Sequence, residues 1–272
     1  LLGGSGGMWS LGHTAFFGIG AYVTAFFTQW GVPAVLGFPA GFVVAALLAL
    51  ILGAFICRLS GHYFSLITFV FTIGMEVLFK YFDQYTGGDY GISVPLHMEP
   101  SGLINLSWDS QMPYYFTILI VVIVTLYIIW RIVKSGFGYQ LTAIRDDSRA
   151  AKAVGINVYR VKLITFVVSS GLAALAGTVY VTYYKLIDPN AAFGFNTALN
   201  PVVHSIAGGV GNIFGGILGA TILVPLSSYL NSFGDQFPGL DRVVYGLILM
   251  IFILLLPKGI LGLLKRDKRP VE

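Results

Sequence analysis

Long apolar runs follow one another along this chain, and they limit the folds open to it more than any other feature. A hydrocarbon core about 30 Å thick needs about 20 helical residues to cross. Eight runs approach or exceed that length: Ser10 to Trp30, Ala34 to Cys57, His62 to Phe82, Met112 to Trp130, Leu163 to Tyr184, Phe195 to Ala207, Ile213 to Phe233 and Val243 to Leu256. The sixth is short and polar, and the last holds 14 residues before Pro257. Charge points the same way. Only 10% of the 272 residues are charged and 56% are apolar, whereas a water-facing surface needs about 25–35% charged side chains. The composition excludes a disordered chain, a collagen and a disulfide scaffold, since apolar content is high and Cys57 is the single cysteine. The expected fold is an all-α membrane protein, a polytopic bundle of about eight transmembrane helices forming one domain over residues 1–272. The opening LLGGSGGMWS has no initiator Met, basic leader or cleavage signature, so further hydrophobic sequence is expected upstream.

Orientation follows from the basic residues, which cytoplasmic loops of membrane proteins retain. With these eight spans, 13 of the 16 Lys and Arg residues fall on one side: Arg58, then seven between Arg131 and Lys162, then five between Lys258 and Arg269. The other side and its helix ends hold Lys80, Lys185 and Arg242 beside eight acids, Glu76 among them. The carboxyl terminus is therefore expected in the cytoplasm. Two loops are long. The external one, Gln84 to Gln111, is rich in Gly, Pro, Asp, Ser and Asn and reads as an ordered surface loop. The internal one, Arg131 to Lys162, contains YQLTAIRDDSRAAKAVG, which sets Leu141, Ile144, Ala151 and Val154 near one helical face and Arg145, Asp146, Arg149 and Lys152 around the other. Gly155 falls where a helix would end in a left-handed residue. The segment 139–156 is thus expected to form a short amphipathic helix or helix pair.

Catalytic signatures are missing. There is no G-x-x-x-x-G-K-[ST] phosphate cradle, so no nucleotide hydrolysis is expected of this chain alone. His13, His62, His97 and His204 lack ligand spacing, and no metal site, cofactor or nucleic-acid partner is expected. Ser65, Ser169, Ser170 and Ser205 lie outside any G-x-S-x-G elbow and read as small residues at helix contacts. Glycine is in excess, at 34 residues, and concentrates in GGSGGMWSLGHTAFFGIGAY (Gly3 to Tyr22) and AGGVGNIFGGILGA (Ala207 to Ala220). Each cluster places a polar cap candidate, Ser10 or Asn212, ahead of a small-residue helix, which suggests interrupted helices and an internal repeat of the kind that frames transport pathways. Ser10, His13, Thr14, His204 and Asn212 are accordingly candidates for a pathway lining, with hydrogen-bonded packing as the competing role for the histidines. Glu76 is the one acid well inside an apolar run. It is either a pathway carboxylate or the partner of Lys80, four residues on in the favourable order.

The residues also carry a family likeness. SLGHTAFFGIGAY (Ser10 to Tyr22), Thr86-Gly87-Gly88 with Tyr90-Gly91-Ile92, AIRDDSRAAKAVGINVYRVKL (Ala143 to Leu163), AGGVGNIFGGILGA and PKGILGLL (Pro257 to Leu264) together resemble the LivM-type membrane subunit of branched-chain amino acid ABC importers. The resemblance covers nearly the whole chain, and such subunits normally carry additional amino-terminal hydrophobic sequence. It implies a permease moving branched-chain or other hydrophobic amino acids inward by alternating access. It also implies partners: a LivH-type second permease, two cytoplasmic ATPases that use the ATP, and an extracytoplasmic binding protein. Urea or short amides are the alternative cargo. An ion-coupled secondary transporter, with Glu76 as the coupling acid, is the alternative class. Importer permeases dock on the ATPase through a Glu-Ala-Ala followed by Gly. Ala150, Ala151 and Gly155 fit that spacing, with Arg149 in place of the Glu, so Arg145, Asp146, Asp147, Arg149, Ala150, Ala151 and Gly155 are the implied coupling residues.

Overall fold

A computed structural model describes residues 1–59, 61–94 and 104–234, together with 246, 247, 250 and 259. The elements run α1 (Leu2–Gly6), α2 (His13–Gln29), α3 (Gly37–Ile56), α4 (His62–Tyr81), α5 (Asp83–Thr86), β1 (Ile92–Ser93), α6 (Met112–Val133), α7 (Gly136–Asp146), α8 (Ser148–Ala153), α9 (Val158–Tyr184), β2 (Leu186–Ile187), α10 (Pro189–Phe193), α11 (Phe195–Gly208) and α12 (Gly215–Gly234). The protein is a polytopic all-helical membrane protein. Its described sheet is one antiparallel pair of short strands, with Ile92 opposite Ile187. Four described helices are long and apolar enough to cross a bilayer: Ala34–Ile56, His62–Tyr81, Met112–Val133 and Val158–Tyr184. The expected run at Phe195 to Ala207 forms a 14-residue helix with Pro201 inside it. At 1.5 Å per residue it rises about 21 Å, so it does not cross a 30 Å core as one straight helix. Most of the run Val243 to Leu256, and PKGILGLL apart from Gly259, lie outside the described residues, as does His97.

The sequence suggests one domain, whereas the contacts divide the chain into two compact units, Leu1–Ala198 and Leu199–Glu272. In the first, α2, α3 and α9 pack against one another, and small residues make the crossing of α2 and α9 possible. A Cβ on Gly20 would collide with the carbonyl of Ala174, and one on Gly177 with the carbonyl of Phe17. Backbone therefore meets backbone, and dispersion over the close contact replaces the hydrophobic drive that lipid cannot supply. The Thr24 hydroxyl donates to the Gly20 carbonyl at 2.8 Å and lies 3.0 Å from the Thr178 hydroxyl, so these two buried hydroxyls are paired, whereas those of Tyr22 and Ser170 are buried without a partner. Below it, Phe16, Phe64 and Phe166 are fully buried, with Phe166 edge-on to both others at 5.5 and 5.7 Å between ring centroids.

In the second unit α11 and α12 pack in the same manner, Gly208 against the carbonyl of Gly215 and Gly219 against that of His204. Both Gly clusters interrupt their helices, as expected. Irregular backbone runs from Gly7 to Gly12 between α1 and α2, and from Gly209 to Phe214 between α11 and α12.

Candidate functional site

The break before α2 is held by side chains of α4 and α9. The Ser65 hydroxyl donates to the Trp9 carbonyl, the Thr72 hydroxyl lies 3.4 Å from the Leu11 carbonyl, and Gly12 sits against Thr68. Ser10 is not the cap residue. Gly12 holds the N-cap position of α2, and its N–H donates to the Ser10 hydroxyl at 3.2 Å. The Ser169 hydroxyl lies 3.0 Å from the Phe166 carbonyl and 2.9 Å from His13 Nε2, and His13 Nδ1 lies 3.0 Å from the Ser10 hydroxyl. His13 is thus a joint between the break and α9, with both ring nitrogens in hydrogen-bond reach of a serine and its ring edge-on to Phe166. Thr14 is buried, its hydroxyl 3.5 Å from the Leu11 carbonyl.

At the second break Asn212 plays a part like that of Ser10: its Oδ1 accepts from Phe214 N–H at 3.2 Å, just ahead of α12. His204 is half-buried on α11. Glu76 is paired. Its carboxylate lies 2.8 Å from Lys80 Nζ, which also reaches Asn190 Oδ1 at 2.9 Å and Asp89 at 3.4 Å. Lys80 thereby ties α4 to the start of α10, and the Glu76–Lys80 pair that their spacing suggests is formed. Beneath it Phe193, fully buried, lies on Gly18 of α2 between Tyr22 and Phe79, its ring centroid 6.0 and 4.9 Å from theirs. The short helix α10 thus fills the space between α2 and α4 at the Lys80 end.

The amphipathic segment forms two helices. In α7 and α8, Leu141, Ile144 and Ala151 are buried with Val161 of α9 and edged by Leu1, Phe137, Ile156 and Val158. Three expected coupling residues serve the fold of the segment itself. Asp147 caps α8, its Oδ1 accepting from Arg149 N–H at 2.7 Å and Ala150 N–H at 3.1 Å. Arg145 donates to the Gly4 carbonyl at 3.2 Å and pairs with Asp146 at 3.0 Å, with Gly7 against its side chain. Ala151 is 3% exposed and faces inward. Val154, expected on the apolar face, is 78% exposed, because α8 stops at Ala153 and the helical period does not reach it. Gly155 has φ +89, a left-handed value at the helix end as its position suggested. Asp146, Arg149, Ala150 and Lys152 are exposed.

Sequence reasoning missed Thr68, Thr72 and Phe193, and set Ser65 and Ser169 aside as small packing residues. A signal was present for three of them: Ser65, Thr68 and Thr72 recur at spacings of three and four on α4, one polar stripe on an apolar helix. Phe193 had none, since its role depends on Gly18 of a distant helix.

A family model described as the branched-chain amino acid transport system permease component matches residues 1–254. The chain belongs to this family. Among its curated members, the permease protein LivM of Salmonella typhimurium is 25% identical over 282 residues, covering 95% of this chain and 64% of the relative. LivH of Escherichia coli K12 is 27% identical over 278 residues, covering 94% of this chain and 86% of the relative. A LivM permease of Methanocaldococcus jannaschii, named as probable, is 22% identical over 234 residues, covering 80% and 66%. The chain thus spans 64% of the length of the Salmonella LivM it matches. No solved structure matches the chain.

Proposed function

We propose that this chain is a membrane permease subunit of an ATP-driven ABC importer, which carries branched-chain or other hydrophobic amino acids into the cytoplasm by alternating access. Membership of the permease-component family over residues 1–254 carries the proposal. The α7–α8 pair supports it, because a transporter without a phosphate cradle needs a rigid element against which an external motor can push. That element is braced by α1 and α9, and it presents Asp146, Arg149, Ala150 and Lys152 outward beside Gly155. In this reading two cytoplasmic ATPases dock there and use the ATP, while a LivH-type permease completes the pathway and an extracytoplasmic binding protein delivers the cargo. The chain is a transport subunit of a bacterial or archaeal plasma membrane with its carboxyl terminus in the cytoplasm. Ser10, His13 and Thr14 at the first helix break, and His204 and Asn212 at the second, are the candidates for lining a pathway. Pairing of Glu76 with Lys80 argues against Glu76 as the coupling acid of an ion-driven transporter.

Proteoliposomes test this. Uptake of leucine should require the full-length chain, both ATPases, the partner permease, the binding protein and ATP together. Uptake by the chain alone down an ion gradient would overturn the proposal. Uptake of urea or acetamide in place of leucine by the assembled system would reassign the cargo and leave the importer class standing.

A further inference from the structure

The short helix α10 is wedged between two spans rather than continuous with either. Its five residues, Pro189–Phe193, are capped by Asp188 Oδ1, which accepts from Ala191 N–H at 2.9 Å, and they lead into α11 through Gly194. Its polar tie to α4 is the exposed hydrogen bond from Lys80 Nζ to Asn190 Oδ1. Its inward tie is the Phe193 ring. That ring enters a slot walled by Gly18, by the Tyr22 ring, parallel to it within 4° at 6.0 Å, and by the Phe79 ring at 4.9 Å. A Cβ at position 18 would collide with the Phe193 ring, so the missing side chain of Gly18 makes the room. A slot that one phenylalanine ring fills is large enough for the side chain of leucine, isoleucine or valine.

One polar group in this slot has a role that packing does not explain. Tyr22 is 1% exposed, and its hydroxyl has no hydrogen-bond partner among the described residues. Thr24 and Thr28 of the same helix satisfy their hydroxyls on carbonyls three or four residues back. A phenol stands too far from its own backbone for that and depends on a partner from elsewhere. Left without one it is destabilising, and phenylalanine at position 22 would keep the ring and remove the cost. An apolar slot with a single polar atom is the form of a site that orients an amphipathic small molecule. We propose that Phe193 occupies a cargo site. When α10 withdraws, the apolar side chain of a hydrophobic amino acid takes the place of the ring, and an ionised group of that amino acid meets the Tyr22 hydroxyl. With α10 in place, Phe193 closes the route between α2 and α4. The site rests on the importer reading above and deepens it by naming residues that hold the cargo.

The test uses the full-length chain assembled with its ATPases, second permease and binding protein in proteoliposomes. Tyr22→Phe should leave the melting temperature unchanged or higher. It should nevertheless lower the turnover of ATP-driven leucine uptake about tenfold at saturating binding protein, as loss of one hydrogen bond to an ionised group does. Unchanged turnover would overturn the site. Phe193→Ala empties the slot, and the purified full-length protein should then retain radiolabelled leucine that the unaltered protein does not. Retention of benzene without leucine would mark a plain core cavity and overturn the site. Withdrawal of α10 is read by Lys80→Cys with Asn190→Cys, since Cys57 is buried and does not compete. This double variant should transport until a short bis-methanethiosulfonate joins the two thiols, stop then, and recover with dithiothreitol. Uptake that continues after joining would overturn the proposal. Absence of ATP-driven leucine uptake in the unaltered system would overturn the importer reading and the site with it, whereas normal uptake there with unaffected variants would overturn the site alone.

Discussion

Two neighbouring alanines of α8 should respond in opposite ways to one substitution, because one faces the buried cluster and the other faces water. Ala151 is 3% exposed among Leu141, Ile144 and Val161, and Ala150 is exposed. In Ala151→Asp a carboxylate must either enter that cluster, at a cost of several kcal/mol, or swing out with the helix. What holds α8 in place is smaller: one buried methyl, worth about 0.8 kcal/mol, and the Asp147 cap, worth about 1 kcal/mol. The helix of six residues should therefore undock rather than bury the charge. Ala150→Asp has no such conflict. Position 150 is the third residue of α8, where an acid is favourable to the helix dipole by about 0.3–1 kcal/mol. Hydrogen exchange by mass spectrometry over 147–156 reads the first effect: fast in Ala151→Asp, unchanged or slower in Ala150→Asp. Copurification with the ATPases and ATP-driven uptake read the second, and both should fall in Ala150→Asp although its helix stays folded. Slow exchange in Ala151→Asp would refute the buried placement. Normal ATPase association and uptake in Ala150→Asp would refute the exposed face of α8 as the dock.

Other outcomes follow from single contacts. Asp147→Ala removes the cap of α8 and should cost about 0.5–2 kcal/mol, raising exchange over 149–153 by about 2- to 30-fold, while Asp147→Asn, which still caps, should change it much less. Glu76→Gln, Lys80→Gln and the double variant at matched expression should all show near-normal uptake; a deficit confined to Glu76→Gln that Lys80→Gln does not repair would return Glu76 to the pathway. Gly177→Val places a branched side chain against the Phe17 carbonyl and should lower the detergent melting temperature sharply, whereas Gly74→Val, where a Cβ meets nothing within 4 Å, should leave it nearly unchanged.

Much of this protein was legible from its sequence, because a bilayer leaves backbone and charge few options. Apolar runs of about 20 residues with all backbone groups paired internally have to be helices, so α3, α4, α6 and α9 fall within a few residues of the runs that announced them. The Gly clusters foretold breaks for the same reason, and Gly155 marked the end of α8 by its local geometry. Side-chain pairings followed only where both partners lie within four residues of each other, as with Glu76 and Lys80. His13 meets the hydroxyl of Ser169, 156 positions away, and Phe193 rests on Gly18. Their spacing in the chain is set by loops and not by the contact, so no local period can reveal them. The helical period already set Ala151 on the apolar face with Leu141 and Ile144, whereas Val154 shared that face on paper and meets water because α8 ends at Ala153. Local chemistry and lipid therefore determine where the helices begin and end, while the close approach of one backbone to another decides what each side chain can touch.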